Sequence, residues 1–374
     1  MSEIVKKARV KHGGSLKGRV VKVSSKKGSF ETPTKAPTST EINGKRNISF
    51  DGPFINPVFE ISQRYLKKEN VQNLHRKNGT FNRKISEINA YTDSLIDRYL
   101  VKYFPQIPSG IELDDRDIRI LIDLQLESNI NLITIPEPSN NCSSTDFHDN
   151  FTKYWEYIAE VKPTATAMPY INLKQDHNLF ENKLNLLKEY EHALHTIGIK
   201  FASIREYRPN LMSLAEFSEH DFWVHCSDGR RVSNWRALSP GGQLHALQRY
   251  GIDTVSIEIP MGGGSISDKD YTTARYFNQT SVTIPKIIDS VDSEGNLECN
   301  CPICSGQNLG EVAENLKRYA STKKPLRSVV SDFSKVHEVF ASTNEFEISK
   351  QKIKEDSLKE YFDEKEGLKE HNST

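Results

Sequence analysis

Three of the five cysteines in the chain lie within six residues, at Cys299, Cys301 and Cys304. This spacing lets three thiolates point at one centre from a tight turn. Zn²⁺ binds four nitrogen or sulfur ligands at tetrahedral angles, so the cluster predicts a zinc site that lacks one local ligand. Three clustered thiols without a metal would be a reactive liability in a reducing compartment. We therefore favour a metal site over three buried or redox-active thiols.

The fourth ligand must come from another part of the chain. His337 is the best candidate, because it follows the cysteines by about 30 residues in a stretch, 334–340, that has a helical pattern. His371 in the polar tail and a histidine that precedes the cluster are the alternatives. The two remaining cysteines, Cys142 and Cys226, are expected to be ordinary buried residues.

Length and composition limit the class of protein. The chain has 374 residues and a formal charge of zero, which suits one large domain or two smaller ones. No apolar run approaches the roughly 20 residues of a membrane-spanning helix, and the first residues lack the apolar core of a signal peptide. These features predict a cytoplasmic protein with no membrane partner, in which thiols stay reduced.

Basic residues concentrate in two places. Residues 1–27 hold nine Lys or Arg against one acid, and a second cluster comprises Arg76, Lys77, Arg83 and Lys84. Such clusters can neutralise the phosphates of a nucleic acid, although a solvated surface explains either cluster taken alone. Both are candidates for phosphate contacts.

Strand-like and helical stretches alternate along most of the chain, which predicts βα units and a parallel sheet. Seven or eight strands over about 250 residues suit a (β/α)₈ TIM barrel, in the α/β class, better than an open sheet. No Gly-x-Gly-x-x-Gly follows the first strand, which argues against a dinucleotide-binding fold. Residues 1–27 suggest one or two short strands or a hairpin. The other predicted strands are 85–91, 130–135, 164–171, 199–204, 222–226 and 252–259, and the predicted helices are 61–74, 115–127, 147–161, 179–197 and 241–250.

Several segments, taken in order, resemble the tRNA-guanine transglycosylase family. Residues 28–38 contain a Gly, then Thr-Pro, then a Pro and a Thr, and Thr92-Asp93-Ser94 resembles the start of the Thr-Asp-Ser-Gly-Gly-Phe-Gln motif. Residues 115–135 resemble the helix and strand that follow, and residues 251–253 resemble the Gly-Val-Asp that opens the nucleophile strand. The cysteine cluster with its later histidine looks like the family's zinc subdomain. The resemblance runs from about residue 8 to residue 362.

The resemblance implies a fold and an activity. It implies a barrel with an N-terminal β extension at 1–285, an inserted zinc-binding subdomain at 286–345, and at 346–374 a helix that packs back on the barrel with a polar tail. Members of the family exchange guanine in a polynucleotide for a 7-deazaguanine base. One Asp attacks C1′ and forms a covalent intermediate, while a second Asp recognises the base or transfers a proton. The zinc ion is structural.

The sequence departs from the family pattern at the positions that carry the chemistry. Asp93-Ser94 is followed by Leu95-Ile96, not by Gly-Gly, and the nucleophile position falls on Ser256. This mismatch favours the DNA-modifying branch of the superfamily over the tRNA branch. A non-catalytic nucleic-acid-binding subunit, which the missing Asp supports, and an unrelated barrel hydrolase with a catalytic zinc are the alternatives. Whether the chain forms a homodimer or binds a companion protein is left open.

Two carboxylates are the catalytic candidates. Asp93 comes after a predicted strand, where a barrel places catalytic groups, and capping of a following helix is its alternative role. Glu258 is the carboxylate nearest to the nucleophile position, and strand periodicity puts it on the same face as Ser256. A buried ion pair with an arginine would also explain it. Asp253 falls on the opposite face.

Four residues are candidates for substrate binding. Glu137 follows a predicted strand near the place where the family carries its base-reading Asp, although a solvated loop would also explain it. Arg205 ends another strand beside Glu206, and the two either form an ion pair or face the ligand. Gly262 and Gly263 follow the last predicted strand, where a barrel binds phosphate or admits a ligand close to the backbone. His225 and Asp228 flank Cys226. His225 is expected to be a packed side chain, and neither residue is among the four candidates.

Overall fold

Eight parallel strands form the centre of the molecule. The computed structural model describes residues 6–12, 16–25, 28–39, 41, 58–63, 66–76, 79–93, 100–108, 110–229, 242–257, 274–294, 301, 304, 306–320 and 326–372. The strands of the large sheet are β4 (Thr34–Lys35), β5 (Val58–Gln63), β6 (Leu100–Pro105), β7 (Leu132–Ile135), β8 (Thr166–Asn172), β9 (Thr196–Lys200), β10 (Trp223–Gly229) and β11 (Thr254–Ile257), in the order β4-β11-β10-β9-β8-β7-β6-β5.

The two edge strands of the sheet, β4 and β5, meet and close it into a barrel. The backbone just beyond β4 pairs with β5, where the Ser39 amide donates to the Glu60 carbonyl and the Glu60 amide donates to the Pro37 carbonyl, each at 2.9 Å. Every neighbouring pair of strands in the large sheet is parallel. The predicted (β/α)₈ barrel is therefore confirmed, and the carboxyl ends of all eight strands meet at one mouth.

Helices between the strands cover the outside of the barrel. They are α1 (Lys68–His75), α2 (Gly79–Thr92), α3 (Asp115–Leu126), α4 (Ser144–Val161), α5 (His177–Lys188), α6 (Arg208–Phe217) and α7 (Gln243–Ala246), the last continued by a 3₁₀ turn at Leu247–Tyr250. Side-chain caps fix where three of them begin: Asp114 with Asp117 in a capping box for α3, Ser143 for α4 and Asp176 for α5. Their apolar faces bury the main core against the outer side of the sheet.

A small antiparallel sheet seals the amino end of the barrel. It comprises β1 (Lys6–His12), β2 (Arg19–Ser25) and β3 (Gly28–Glu31), which confirms the predicted N-terminal hairpin. Val21 and Val23 pack with Trp223 of β10 inside the barrel, and the Phe30 ring contacts Trp223 edge to face at 5.9 Å. The sheet therefore plugs the end of the barrel that is opposite the mouth.

The chain beyond β11 forms a second layer that returns to the barrel. Its helices are α8 (Ile287–Glu294), α9 (Leu309–Ala320), α10 (Leu326–Lys354), α11 (Leu358–Glu364) and α12 (Glu366–Lys369). Helix α10 contacts β4 and β2, so it closes the outer layer beside the first strand. The predicted domain boundary between residues 345 and 346 lies inside this single helix. Among the described residues, no helix is both long enough and apolar enough to cross a membrane.

Three secondary-structure predictions are wrong. Residues 85–91 belong to α2, not to a strand. Strand β6 was missed because Lys102 interrupts its apolar run. The predicted helix 179–197 covers two separate elements, since α5 ends at Lys188 and β9 begins at Thr196. The predicted helix 61–74 likewise begins inside β5. For β6 and β9, burial inside the barrel overrides the local pattern.

Candidate active site and metal centre

A pocket of about 480 Å³, including space open to solvent, lies at the carboxyl ends of β6, β7, β8 and β9. This is the end at which barrel enzymes place their active sites. Apolar walls and a few polar groups share the pocket, as is typical of sites for small molecules. It is lined by Phe104, Pro105, Ile107, Ile111, Thr134, Pro136, Glu137, Ser139, Asn140, Tyr170, Asn172 and Lys200.

Two aromatic rings form the floor of this pocket. Phe104 and Tyr170 stack with ring centroids 5.0 Å apart and planes inclined by 29°. Gly198, on the neighbouring strand, lies so close under the Tyr170 ring that a Cβ atom there would overlap it. The Lys102 ammonium lies 5.1 Å from the Phe104 centroid and 4.9 Å from the Tyr170 centroid. Aromatic rings that line a pocket can stack on a planar ligand.

Beneath the floor, a charged network fills the barrel interior. Glu60 Oε2 accepts hydrogen bonds from Lys102 and from the Ser227 hydroxyl, the latter at 2.6 Å, and lies 3.0 Å from His225 Nε2. Lys102 also donates to the Tyr170 hydroxyl, which lies 2.6 Å from Ser227 Oγ. Glu60 and Lys102 are both fully buried. The network ties the Tyr170 ring to three other strands and so fixes the floor.

The protonation states in this network follow from burial and charge. Burial acts to raise the pKa of Glu60, but the Lys102 ammonium and His225 outweigh it and hold that pKa well below its usual value. Burial and the Lys102 charge lower the pKa of His225 to about 4. His225 is then neutral at pH 7, with Nε2 donating to Glu60 and Nδ1 accepting from the Thr254 hydroxyl at 2.7 Å. The predicted packing role of His225 fits this arrangement.

Glu137 lies in the mouth pocket, just beyond β7. Its Oε2 accepts from the Asn172 amide at 2.7 Å, and its Oε1 accepts from the Lys183 ammonium at 2.6 Å. The same ammonium donates to Gln175 Oε1 at 2.8 Å and lies 3.3 Å from Cys142 Sγ. Burial raises the pKa of Glu137 to about 7, against the opposing charge of Lys183. The solvated-loop alternative is therefore wrong, because the carboxyl group is held by the protein.

Lys200 and Asp228 add two charges to the mouth. Lys200 ends β9, and its Nζ donates to the Ile107 carbonyl at 2.7 Å. Asp228, near the end of β10, accepts a hydrogen bond from Gln106 and has a φ of 65°. A non-glycine residue in this left-handed region is strained, and such strain is concentrated at functional sites.

The two other described sequence candidates lie away from the pocket lining. Asp93 follows helix α2, so it is at the amino end of the barrel, where its carboxylate accepts from Asn129 at 2.9 Å. The strand that motivated its catalytic assignment does not exist, and the argument for that role is lost. Arg205 is exposed in the loop after β9, on the mouth side. In the described part of the chain, it forms no ion pair with Glu206.

The remaining candidates divide into two groups. Glu258, Gly262, Gly263 and Cys299 lie outside the described residues. Ser256 and Asp253 are described, and both are buried. Asp253 precedes β11 at the amino end of the barrel, where Arg19 and Thr32 donate to its carboxylate. These contacts give Asp253 a structural role.

The described basic residues divide between structural and exposed positions. Arg19 is buried against Asp253, and Lys17 pairs with Glu219 at 2.7 Å. In the second cluster, Lys84 and Glu87 pair at 3.0 Å. Arg19 is therefore removed from the set of predicted phosphate contacts.

Cys301, Cys304 and His337 come together in a group that could hold a metal ion. Their ligand atoms all lie within 4.8 Å of one another, and the side chains are buried. His337 Nδ1 is 3.7 Å from Cys301 Sγ and 3.5 Å from Cys304 Sγ. Tetrahedral ligation by one zinc ion requires a sulfur–nitrogen separation of about 3.6 Å. The choice of His337 over His371 fits this geometry.

Neighbouring contacts prepare these atoms for a metal. His337 Nε2 lies 3.0 Å from the Phe277 carbonyl, so Nε2 carries the proton and Nδ1 carries the lone pair that can bind a metal ion. The Cys304 amide lies 3.2 Å from Cys301 Sγ, which suits a thiolate acceptor. Helix α10 supplies His337, and the chain between α8 and α9 supplies the cysteines.

Sequence reasoning missed the buried network and Lys200. A signal for Lys102 was present, because a charged residue inside an apolar strand is expensive to bury unless it is paired. Glu60 gave a similar signal within β5, but its strand was assigned in part to a helix. Lys200 gave a weaker one, as a cation that ends an apolar strand.

Comparison with known proteins adds nothing to this description of the pocket and the candidate metal centre. No model of a known protein family matches the sequence, and no curated protein matches it significantly.

Proposed function

We propose that this chain is a guanine transglycosylase, which exchanges guanine in a polynucleotide for a 7-deazaguanine base. The observation that carries the proposal is the mouth pocket with its aromatic floor and its buried carboxyl group. A purine is planar and has hydrogen-bonding edges, so it can stack on Phe104 and Tyr170 while Glu137, Asn140 and Asn172 pair with its edge. The sequence resemblance supports the same activity.

Glu137 is the proposed base-reading group. Asn172 and Lys183 each use one lone pair of its carboxylate, and a carboxylate has about four. The remaining lone pairs can accept from the N–H groups of guanine or of a 7-deazaguanine. Because both bases present those N–H groups, one acceptor can serve the leaving and the incoming base.

The proposed reaction splits the exchange into two displacements. A carboxylate attacks C1′ and releases guanine, and the incoming base then attacks the covalent intermediate and frees the carboxylate. Glu258 remains the candidate nucleophile on sequence grounds. Ser256 stands where the family has its nucleophilic Asp, and this missing carboxylate supports the alternative of a non-catalytic subunit.

Zinc is the ion that we propose for Cys301, Cys304 and His337, with Cys299 as the fourth ligand. Two thiolates and an imidazole suit zinc, and four protein ligands leave no open position. None of the three described ligands lines the mouth pocket, and all three are buried. These points favour a structural ion over the catalytic zinc of a hydrolase.

DNA is the favoured polymer, and tRNA is the alternative. The preference rests on the departures from the tRNA-family motifs. Exposed cations at the mouth, Lys174 and Arg205, are additional candidates for backbone contacts. Binding that depends on such contacts is expected to weaken as salt increases.

Exchange of radiolabelled guanine tests the proposal. The full chain as purified is incubated with duplex DNA or tRNA, and label in the polymer is counted for wild type, Glu258→Gln, Glu137→Gln and the exposed control Glu160→Gln. We expect exchange on DNA that Glu258→Gln abolishes, that Glu137→Gln lowers by roughly tenfold or more, and that Glu160→Gln leaves unchanged. Exchange on tRNA alone would assign the tRNA branch. Absence of exchange on both polymers would contradict the proposal and favour the non-catalytic subunit.

A further inference from the structure

The mouth pocket contains a lysine amine that the proposed exchange does not use. Lys200 is the last residue of β9, so its side chain leaves the sheet at the carboxyl end of the barrel and lines the pocket. Its Nζ donates to the Ile107 carbonyl at 2.7 Å. In the described part of the chain this is its one hydrogen bond, although an ammonium has three N–H groups to donate. The amine is therefore anchored but not saturated.

The surroundings of Lys200 favour its neutral, nucleophilic form. Burial lowers the pKa of Lys200, and the nearby charge of Lys174 acts in the same direction. The carboxylates of Asp228 and Glu137 oppose this shift. A partly desolvated lysine carries more free amine at neutral pH than an exposed one, and free amine is the form that attacks carbonyl carbon.

A proton donor and a dry wall lie in the same pocket. Glu137 has a pKa of about 7, so it can both give and take a proton near neutrality. The apolar wall beside Lys200 includes Ile107, Ile111 and Pro136. Exclusion of water by such a wall favours an imine over its hydrolysis.

We propose that Lys200 is a reactive amine that forms an imine with the aldehyde carbon of a ligand in this pocket. The Nζ lone pair forms a bond to the carbonyl carbon, and the carbonyl oxygen takes a proton from the same nitrogen to give a carbinolamine. Glu137 then donates a proton to the hydroxyl group, which leaves as water while the nitrogen lone pair completes the C=N bond, and the iminium nitrogen returns a proton to Glu137 to give the imine. One water is released, and no oxidant or reductant is consumed.

The aldehyde that fits this site is the open-chain C1′ of a sugar that has lost its base. This choice rests on the proposed function: water that hydrolyses the covalent intermediate frees the carboxylate and leaves a C1′ hemiacetal in the pocket, and the open-ring form of that hemiacetal is an aldehyde. A small free aldehyde offers the same reacting carbon. The two sources differ in the polymer attached to the sugar, and an experiment can separate them.

Borohydride trapping tests the inference. The zinc-containing full chain is mixed with an oligonucleotide that carries one abasic site, or with glyceraldehyde, and sodium borohydride reduces any imine to a stable amine. The variants are Lys200→Arg, which keeps a cation and its stem but cannot form the imine, Lys200→Met, and Lys359→Met as an exposed control on α11, outside both basic clusters. Cross-links are measured on denaturing gels and located by peptide mass spectrometry.

We expect wild type and Lys359→Met to cross-link to the abasic strand at Lys200, and the yield of cross-link to fall at least roughly tenfold in both Lys200 variants. Circular dichroism checks that both Lys200 variants are folded. If Lys200→Met is not folded, Lys200→Arg decides the result. Equal trapping in Lys200→Arg would overturn the inference. Trapping of glyceraldehyde alone at Lys200 would support the amine and overturn the sugar assignment. Guanine exchange without trapping would overturn the inference about Lys200 and leave the proposed function standing. Trapping without guanine exchange would support the reactive amine and contradict the proposed function.

Discussion

At the scale of residues, the barrel interior contains a fully buried ion pair. Glu60 and Lys102 are fully enclosed by the barrel, and each makes several hydrogen bonds to polar groups of other strands. A buried ion pair offers little stability compared with an apolar pair, but the loss of one partner leaves an uncompensated charge. The place of the Glu60–Lys102 pair directly beneath the pocket floor explains why these two charges are buried.

This interpretation predicts how variants of the pair behave. Lys102→Met leaves Glu60 buried without its cation and should lower the free energy of unfolding by about 3–5 kcal/mol. The double variant Glu60→Gln with Lys102→Met removes both charges and should cost less than Lys102→Met alone. Urea unfolding of wild type, both single variants and the double variant measures the coupling. A double variant less stable than Lys102→Met would contradict this account.

Glu137 predicts a pH dependence of stability. Its pKa is raised from 4.5 in the unfolded chain to about 7 in the fold, so the folded state binds the proton more tightly. The stability that this provides is fully present below pH 4.5 and is lost as the pH rises through 7, with a slope of at most about 1.4 kcal/mol per pH unit. Glu137→Gln should flatten the unfolding free energy in that window, measured in urea between those pH values. Glu160→Gln, on the exposed surface, should keep the wild-type slope.

At the scale of elements, close contact between strands β8 and β9 shapes the pocket floor. Gly198 of β9 pairs with Tyr170 of β8, and the ring occupies the space that a side chain at 198 would need. Gly198→Ala should therefore push the ring or the backbone and lower the free energy of unfolding by about 1–3 kcal/mol. Thermal unfolding measures the loss. Gly79→Ala is a control, because a Cβ there meets no atom within 4 Å.

Helix α10 joins the metal centre to the barrel. His337 lies in its middle, and further along it Ser342 Oγ lies 3.0 Å from His245 Nε2 of α7 while the Phe346 ring stacks on His245 at 4.2 Å. An ion bound by His337 should thus order the segment that carries the cysteines, while the contacts between α10 and the barrel should persist without it.

Metal analysis and hydrogen exchange test this division. The full chain should contain about one zinc ion, and Cys301→Ser or His337→Ala should lose most of it. Chelation should increase amide exchange in 274–320 and leave the barrel strands protected, because the metal centre has its own small core. Cys142→Ser, outside the metal centre, should retain the ion. Unfolding of the barrel on chelation would contradict the separation of the two parts.

At the scale of the whole molecule, the first and last parts of the barrel are locked together at its amino end. The Arg19 guanidinium donates to both carboxylate oxygens of Asp253, which is 234 positions later, and to the carbonyls of Ser218, His220 and Phe222. Both side chains are buried. The N-terminal sheet is therefore an integral part of the barrel.

Loss of one partner should destabilise the whole chain. Asp253→Asn leaves the Arg19 charge buried without its counter-ion and should lower the free energy of unfolding by about 3–5 kcal/mol, measured in urea. Lys17→Met, which breaks the exposed pair with Glu219, should change it by less than about 1 kcal/mol. If guanine exchange occurs, Asp253→Asn should retain it at temperatures where the variant is folded. Complete loss of exchange in the folded variant would assign Asp253 a chemical role.

The sequence by itself determined the barrel and the group of Cys301, Cys304 and His337 that could hold a metal ion. The alternation of short apolar strands with capped amphipathic helices is a local property, and so is the spacing of Cys301 and Cys304. Helix α3 is predictable for this reason, since its cap and its apolar face lie within 13 residues, 114–126.

Only the tertiary structure decided what occupies the barrel and its mouth. Glu60, Lys102 and His225 lie on three strands, and nothing in their local sequence indicates that they share hydrogen bonds. Asp93 shows the opposite error, because a plausible motif lies at the wrong end of the barrel. The physical reason is that strand closure brings together residues far apart in the chain, and the end at which a side chain emerges depends on the boundaries of each strand.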